Sequence, residues 1–114
     1  MLPELDVARV QRWLTDRNDK IPPDARDKIR IEADIDARSI TIVECRPPWR
    51  NDIGPAWTRF PIVRLRYATA HREWSLYWRD RHLHFHYYDQ TVPTQRIDEL
   101  LAEIDRDPTG IFWG

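Results

Sequence analysis

The chain is predicted to fold as an α+β domain of two layers: an N-terminal helix, a five-stranded antiparallel meander and a C-terminal helix. Three observations lead there. Near each end, apolar residues recur at helical spacing, Val7, Val10 and Leu14 in one stripe and Ile97, Leu100, Leu101 and Ile104 in the other, as in helices that bury one face. Between them lie short runs in which apolar and polar residues alternate, the period of half-buried strands. The 114 residues leave room for a single domain with one core. Sheet and helices then bury their apolar faces against each other, with both helices on the same side.

Residues 4–18 read as the first helix. Pro3 suits the first helical position, Glu4 and Asp6 favour the positive end of the helix dipole, and Trp13 flanks the apolar stripe. Pro22 and Pro23 block its continuation. Over 28–36 the alternation is clean, with Ile29, Ile31, Ala33 and Ile35 on one face and charged residues on the other. A turn at Ala37 and Arg38 leads into a second strand, 39–45, rich in Ile, Thr and Val. Residues 46–59, with three prolines and Gly54, read as a long connection, and loops of that length often serve function. Trp49 and Trp57 within it either form a binding loop or fold back over the core edge.

Three more strands follow at 62–67, 73–79 and 83–88. Their expected inner residues are Val63, Leu65 and Tyr67, then Trp74, Leu76 and Trp78, then Leu83, Phe85 and Tyr87. Arg64, Arg66, Glu73, Ser75, Tyr77, Arg79, His84, His86 and Tyr88 are expected on the outer face. The tip around Asp80, Arg81 and His82 lacks the Asn-Gly pair of a two-residue hairpin, which leaves its register open. Thr94 reads as the N-cap of the second helix. The segment Asp107-Pro108-Thr109-Gly110 ends that helix, and the apolar tail Ile111-Phe112-Trp113 is expected to dock on the domain.

Charge is unevenly spread. The formal net charge is −1, yet residues 46–86 carry eight basic and three acidic side chains, and residues 87–114 two basic and six acidic. Half of the arginines, four of the six tryptophans and all tyrosines and histidines lie between Arg46 and Tyr88. Guanidinium groups and ring faces together suit a surface that meets phosphates, bases or another protein. Cys45 is the only cysteine; it has no internal partner, is expected to be buried, and fits a reducing cytoplasm. The first residues lack the basic and apolar regions of a secretory signal, and no apolar run reaches the roughly 18–20 residues that span a bilayer.

The segments Arg46-Pro47-Pro48-Trp49-Arg50, Leu65-Arg66-Tyr67, Trp74-Ser75-Leu76-Tyr77-Trp78-Arg79-Asp80-Arg81 and Asp107-Pro108-Thr109-Gly110-Ile111-Phe112-Trp113-Gly114 resemble those of small bacterial proteins, common in actinobacteria, grouped as domain-of-unknown-function family 3024. The resemblance spans nearly the whole chain and implies a free-standing single domain. It brings no activity, cofactor or partner. The sixteen arginines against two lysines are compatible with a GC-rich genome.

Catalytic patterns are sparse. With three glycines, the chain lacks the backbone turns of a phosphate-binding loop, a dinucleotide fingerprint or a nucleophile elbow. His84 and His86 share a strand face but have too few acidic or thiol neighbours for the four ligands a metal normally needs. Glu73, His86 and Arg64 or Arg66 would supply base, acid and charge clamp for metal-free phosphodiester chemistry if the sheet brought them together. The reading is therefore a cytoplasmic binding module without a cofactor rather than an enzyme. Its expected surface comprises Arg46, Trp49, Arg50, Trp57, Arg64, Arg66, Tyr77, Arg79, His84 and Tyr88. Nucleic acid is the first partner, a protein partner the second, and a metal-independent nuclease the third reading.

Overall fold

The structure, a computed structural model, describes residues 1–48 and 57–114. Helix α1 (Glu4–Asp19) and a single 3-10 turn (Pro23–Ala25) lead into strands β1 (Arg30–Ile35), β2 (Ser39–Arg46), β3 (Thr58–Ala68), β4 (Glu73–Arg79) and β5 (Phe85–Tyr87), and helix α2 (Ile97–Arg106) follows. The strands form one antiparallel sheet in the order β1-β2-β3-β4-β5. This is the expected helix, meander, helix order.

Cross-strand register builds the core. Ile42 faces Val63, Ile40 faces Leu65, Leu65 faces Leu76, and Tyr67 faces Trp74. These inner-face residues meet Val10 of α1, Ile97, Leu100, Leu101 and Ile104 of α2, and Phe112 of the tail. Each large side chain so buried stabilises the fold by about 1.5–3 kcal/mol. A bulge between Ile42 and Val43 leaves Ile62 without a partner in the ladder, and Ile62 is buried.

Polar anchors set the helices on the sheet. Asp6, in the first turn of α1, accepts the indole N–H of Trp74, a side chain with no exposed surface. Tyr88 donates its hydroxyl hydrogen to Glu103 of α2 at 2.5 Å, and both residues are buried. The side-chain amide of Asn18 donates to the Ile31 carbonyl and accepts the Ile31 N–H, at 2.9 and 2.8 Å. Asp105 of α2 accepts from Trp13 and Arg17 of α1.

The tail docks as expected. α2 ends at Asp107, which adopts a positive φ of 40°. Its carboxylate accepts the backbone N–H groups of Phe112 and Trp113. The Trp113 indole donates to the Ile104 carbonyl and its ring lies 3.8 Å from the Arg17 guanidinium carbon.

Four expectations are corrected. The face of β5 is inverted: Phe85 pairs with Arg79, His86 with Trp78 and Tyr87 with Tyr77. Phe85 and Tyr87 thus join the outer face, while Tyr88 is buried. The reason is the five-residue loop 80–84. Leu83 sits there at φ 68°, and Asp80 Oδ1 accepts the N–H groups of His82 and His84, so the loop brings Phe85 opposite the outward-facing Arg79. A shift that changes parity moves every side chain to the opposite face. Ile35 is half-exposed because it ends the edge strand β1, and Ile29 and Trp78 are only partly buried. Thr94 does not cap α2: its backbone pairs with Trp74, its hydroxyl accepts the Arg96 N–H, and the helix begins at Ile97 without a side-chain cap. Finally, β3 starts at Thr58, so part of the expected 46–59 connection is strand.

Candidate functional site

Because Val63 and Leu65 point inward, alternation sends Arg64 and Arg66 outward, where they pair with Tyr77 and Ser75 of β4. Tyr77 in turn faces Tyr87 of β5. The outer face is therefore a ladder of guanidinium groups and rings. The Arg66 guanidinium carbon lies 4.3 Å from the Tyr77 ring centre. Tyr77 and Tyr87 meet edge to face at 5.7 Å. The Arg64 guanidinium carbon sits 4.1 Å over Phe85, and its Nε donates to Thr41 Oγ1 at 2.9 Å. Ring contacts hold the planar cations in place without neutralising them.

Among the described residues, no carboxylate lies within ion-pair distance of Arg64, Arg66 or Arg79; the paired arginines are Arg9, Arg17, Arg30, Arg46, Arg59 and Arg106. Arg79 donates through Nη1 to the Asp80 carbonyl, while its buried Nε has no partner. Two hollows open on this face. One, of about 380 Å3, is lined by Arg38, Ser39, Arg64, Arg66 and Tyr67. The other, of about 370 Å3, shares Ser39 and Arg64 with it and continues toward Asp34, Asp36, Thr41 and Arg59.

The opposite end of the outer face is internally balanced. Arg59 bridges Glu32 at 2.6 Å and Asp34 at 2.5 Å. The Arg59 hydrogen bond holds the Glu32 carboxyl below its usual range, and Glu32 in return raises the Arg59 pKa. Arg30 also pairs with Glu32, and its guanidinium covers the half-buried Trp57 ring at 4.1 Å. Cys45 is buried beside this cluster, where desolvation pushes its thiol pKa up, the opposite of what a nucleophile requires.

The expected site residues thus divide. Arg64, Arg66 and Tyr77 come together, with Arg79 at the far end of β4. Trp57 precedes Arg64 by seven residues, roughly 23 Å of extended chain, and stands with Arg30 instead. Arg46 is exposed but shares the inner-face parity of Ile42 and Glu44, and it pairs with Glu44 at 2.7 Å. His84 is exposed in the loop beyond β4, 3.7 Å from Asp80. Tyr88 belongs to the core. Trp49 and Arg50 lie outside the described residues. The triad suggested for phosphodiester chemistry does not assemble: Glu73 opens β4 on the outer face opposite Ala68, whereas His86 pairs with Trp78 near the other end and on the other face. His86 is held by Asp80 at 2.7 Å and packs on Trp78 at 4.7 Å. Among the described residues, no group of three or more His, Cys, Asp or Glu side chains is placed to hold a metal ion.

Three contributors were missed. Alternation along the expected strand 83–88 assigns Phe85 and Tyr87 to the core, whereas the observed pairing puts them on the outer face. Arg38 reads from sequence only as a turn residue, although its position just before Ser39, where β2 begins, is the available signal.

The chain belongs to the family described as Domain of unknown function (DUF3024), whose model matches residues 2–114. No curated protein and no solved structure matches the chain. No helix among the described residues is long and apolar enough to cross a membrane.

Proposed function

We propose that this is a cytoplasmic binding module for single-stranded nucleic acid, with the outer sheet face as its contact surface. The observation that carries the reading is the set of arginines on that face, Arg64 and Arg66 stacked on rings and lacking carboxylate partners among the described residues. Phosphates supply the missing counter-charge, and Tyr77 and Tyr87 offer ring surface to bases. Tyr87 is 44% exposed, so its ring is accessible. A net charge of −1 and a basic track confined to one end of the sheet suit a short flexible strand better than a duplex, whose non-specific binding needs many phosphate contacts.

The test is fluorescence anisotropy with labelled single-stranded RNA and DNA across a salt series. Two phosphate contacts, through Arg64 and Arg66, give a log–log salt slope of about −1.4 for a single strand. Arg64→Ala with Arg66→Ala is expected to abolish binding while leaving the thermal midpoint within a few degrees. Binding that ignores salt and survives the double substitution would instead favour a protein partner, for which exposed Tyr and Arg are equally suited anchors.

A further inference from the structure

We infer that the hollow beside Arg38 receives a terminal phosphomonoester of a single-stranded nucleic acid, not an internal phosphodiester. The inference rests on the nucleic-acid reading and adds which part of the ligand is held, and where.

Charge is the first argument. Arg38, Arg64 and Arg66 line one hollow together with Ser39. The Arg64 Nε is occupied by Thr41, which fixes the plane of the guanidinium and leaves its two amino groups for a ligand. Among the described residues, none of these three cations is paired with a carboxylate. An internal diester carries one negative charge, whereas a terminal monoester carries about 1.5 to 2 at neutral pH and presents three strong acceptor oxygens. Three arginines lining one hollow match the second ligand better.

Direction is the second argument. An internal phosphate needs an exit for the chain on both sides. Beyond Ser39 and Arg64, the adjoining hollow brings in Asp34 and Asp36. Asp34 is bound to Arg59, and one oxygen of Asp36 accepts the Ala37 N–H. Among the described residues, that side holds no spare cation for a following phosphate, and its carboxylates repel one. The other way out leads from Arg66 over Tyr77 to Tyr87, with Glu73 set aside two residues along β4 from Ser75. A strand can leave in this direction with a base against the Tyr87 ring. A cationic hollow with one usable exit holds a chain end.

The experiment compares three short oligonucleotides (about six nucleotides, one binding unit of a small module) of one sequence. One has a 5′-phosphate, one a 3′-phosphate and one hydroxyls at both ends, and Kd is measured for each at a fixed salt concentration. We expect one phosphorylated end to bind about tenfold more tightly than the hydroxyl form, as a new charge-assisted contact warrants; the end that gains reports the polarity of the strand. Arg38→Ala should erase that gain and leave the hydroxyl oligonucleotide within about twofold of its original Kd. The variant should fold, because only the Arg38 backbone carbonyl is used in the structure, by the Tyr67 N–H, and its thermal midpoint checks this. Equal binding of all three oligonucleotides overturns the terminal site and leaves the nucleic-acid reading standing. A phosphate gain that persists in Arg38→Ala overturns the placement in this hollow. Absence of binding to any of them overturns both.

Discussion

The Trp74 indole N–H donates to Asp6 Oδ2 at 2.9 Å across 68 positions of sequence, and both residues are buried. The bond joins the first turn of α1 to the start of β4. Arg9, one turn along α1, donates to the other oxygen of Asp6 and lies 3.7 Å from Asp98 of α2. One carboxylate thus connects both helices to the sheet.

Removing it should be costly. Asp6→Ala leaves a buried indole donor unpaired, which costs about 1–3 kcal/mol. Asp6→Asn keeps an acceptor and should cost less. Urea denaturation of both variants checks the order; equal stability of Asp6→Ala and the parent would show that the bond contributes nothing.

The Tyr88 phenol is pushed up to about 12, first by burial and then by its bond to Glu103. A raised pKa in the folded state means stability present below the ordinary phenol value of about 10 and lost as the pH rises from there toward 12. Tyr88→Phe should remove this alkaline loss. At neutral pH the same variant should be less stable by about 1–3 kcal/mol, because Glu103 loses a buried partner. Thermal midpoints at pH 7 and in steps from pH 9 to 11.5 would show the two curves converging.

Asp80 gives the acid counterpart. Its carboxyl is held well below the usual aspartate range, chiefly by the bond from His86 and next by the backbone N–H of His84. A depressed pKa means stability present above the ordinary value of about 3.9 and lost as the pH falls below it. Asp80→Asn should flatten the acid limb of the stability profile below pH 4 while leaving β5 in register, as its amide oxygen still accepts loop N–H groups. An unchanged acid limb would place that loss in other carboxylates.

Deleting residues 111–114 should lower stability by a few kcal/mol, since Phe112 is buried against Tyr88 and one such side chain contributes about 1.5–3 kcal/mol. The loss includes the Trp113 contacts with Ile104 and Arg17. A thermal midpoint that does not move would reject the tail as part of the core.

The element order was legible because each element announces its own period, and β4 falls at the expected residues 73–79. Arg64, Arg66 and Tyr77 were legible for the same reason: alternation on two long strands leaves no choice of face. β5 was not. Its short run of three residues carries too little alternation to fix parity, and the decision passed to a loop in which Leu83 takes a left-handed conformation that its side chain does not favour. Phe85 and Tyr87 then went to the wrong face, and Tyr88 with them. Arg38 required knowing which turn adjoins which strand end, which is tertiary information. Trp57 reads from sequence as a loop anchor, but its partner, Arg30, lies 27 residues away on another strand.

The Asn18 amide clasps the backbone of Ile31 from outside the sheet, and this bears on how the molecule behaves in a crowd. β1 is an edge, and an edge with free donors and acceptors is where neighbouring chains add and fibres begin. Since the Ile31 N–H and carbonyl both turn outward, the strand repeat turns those of Ala33 and Ile35 outward as well. With Ile31 taken, the free template shrinks to the stretch from Ala33 to Ile35, about 7 Å long, too short to seat an arriving strand. One asparagine on a helix thereby shortens the open part of the β1 edge.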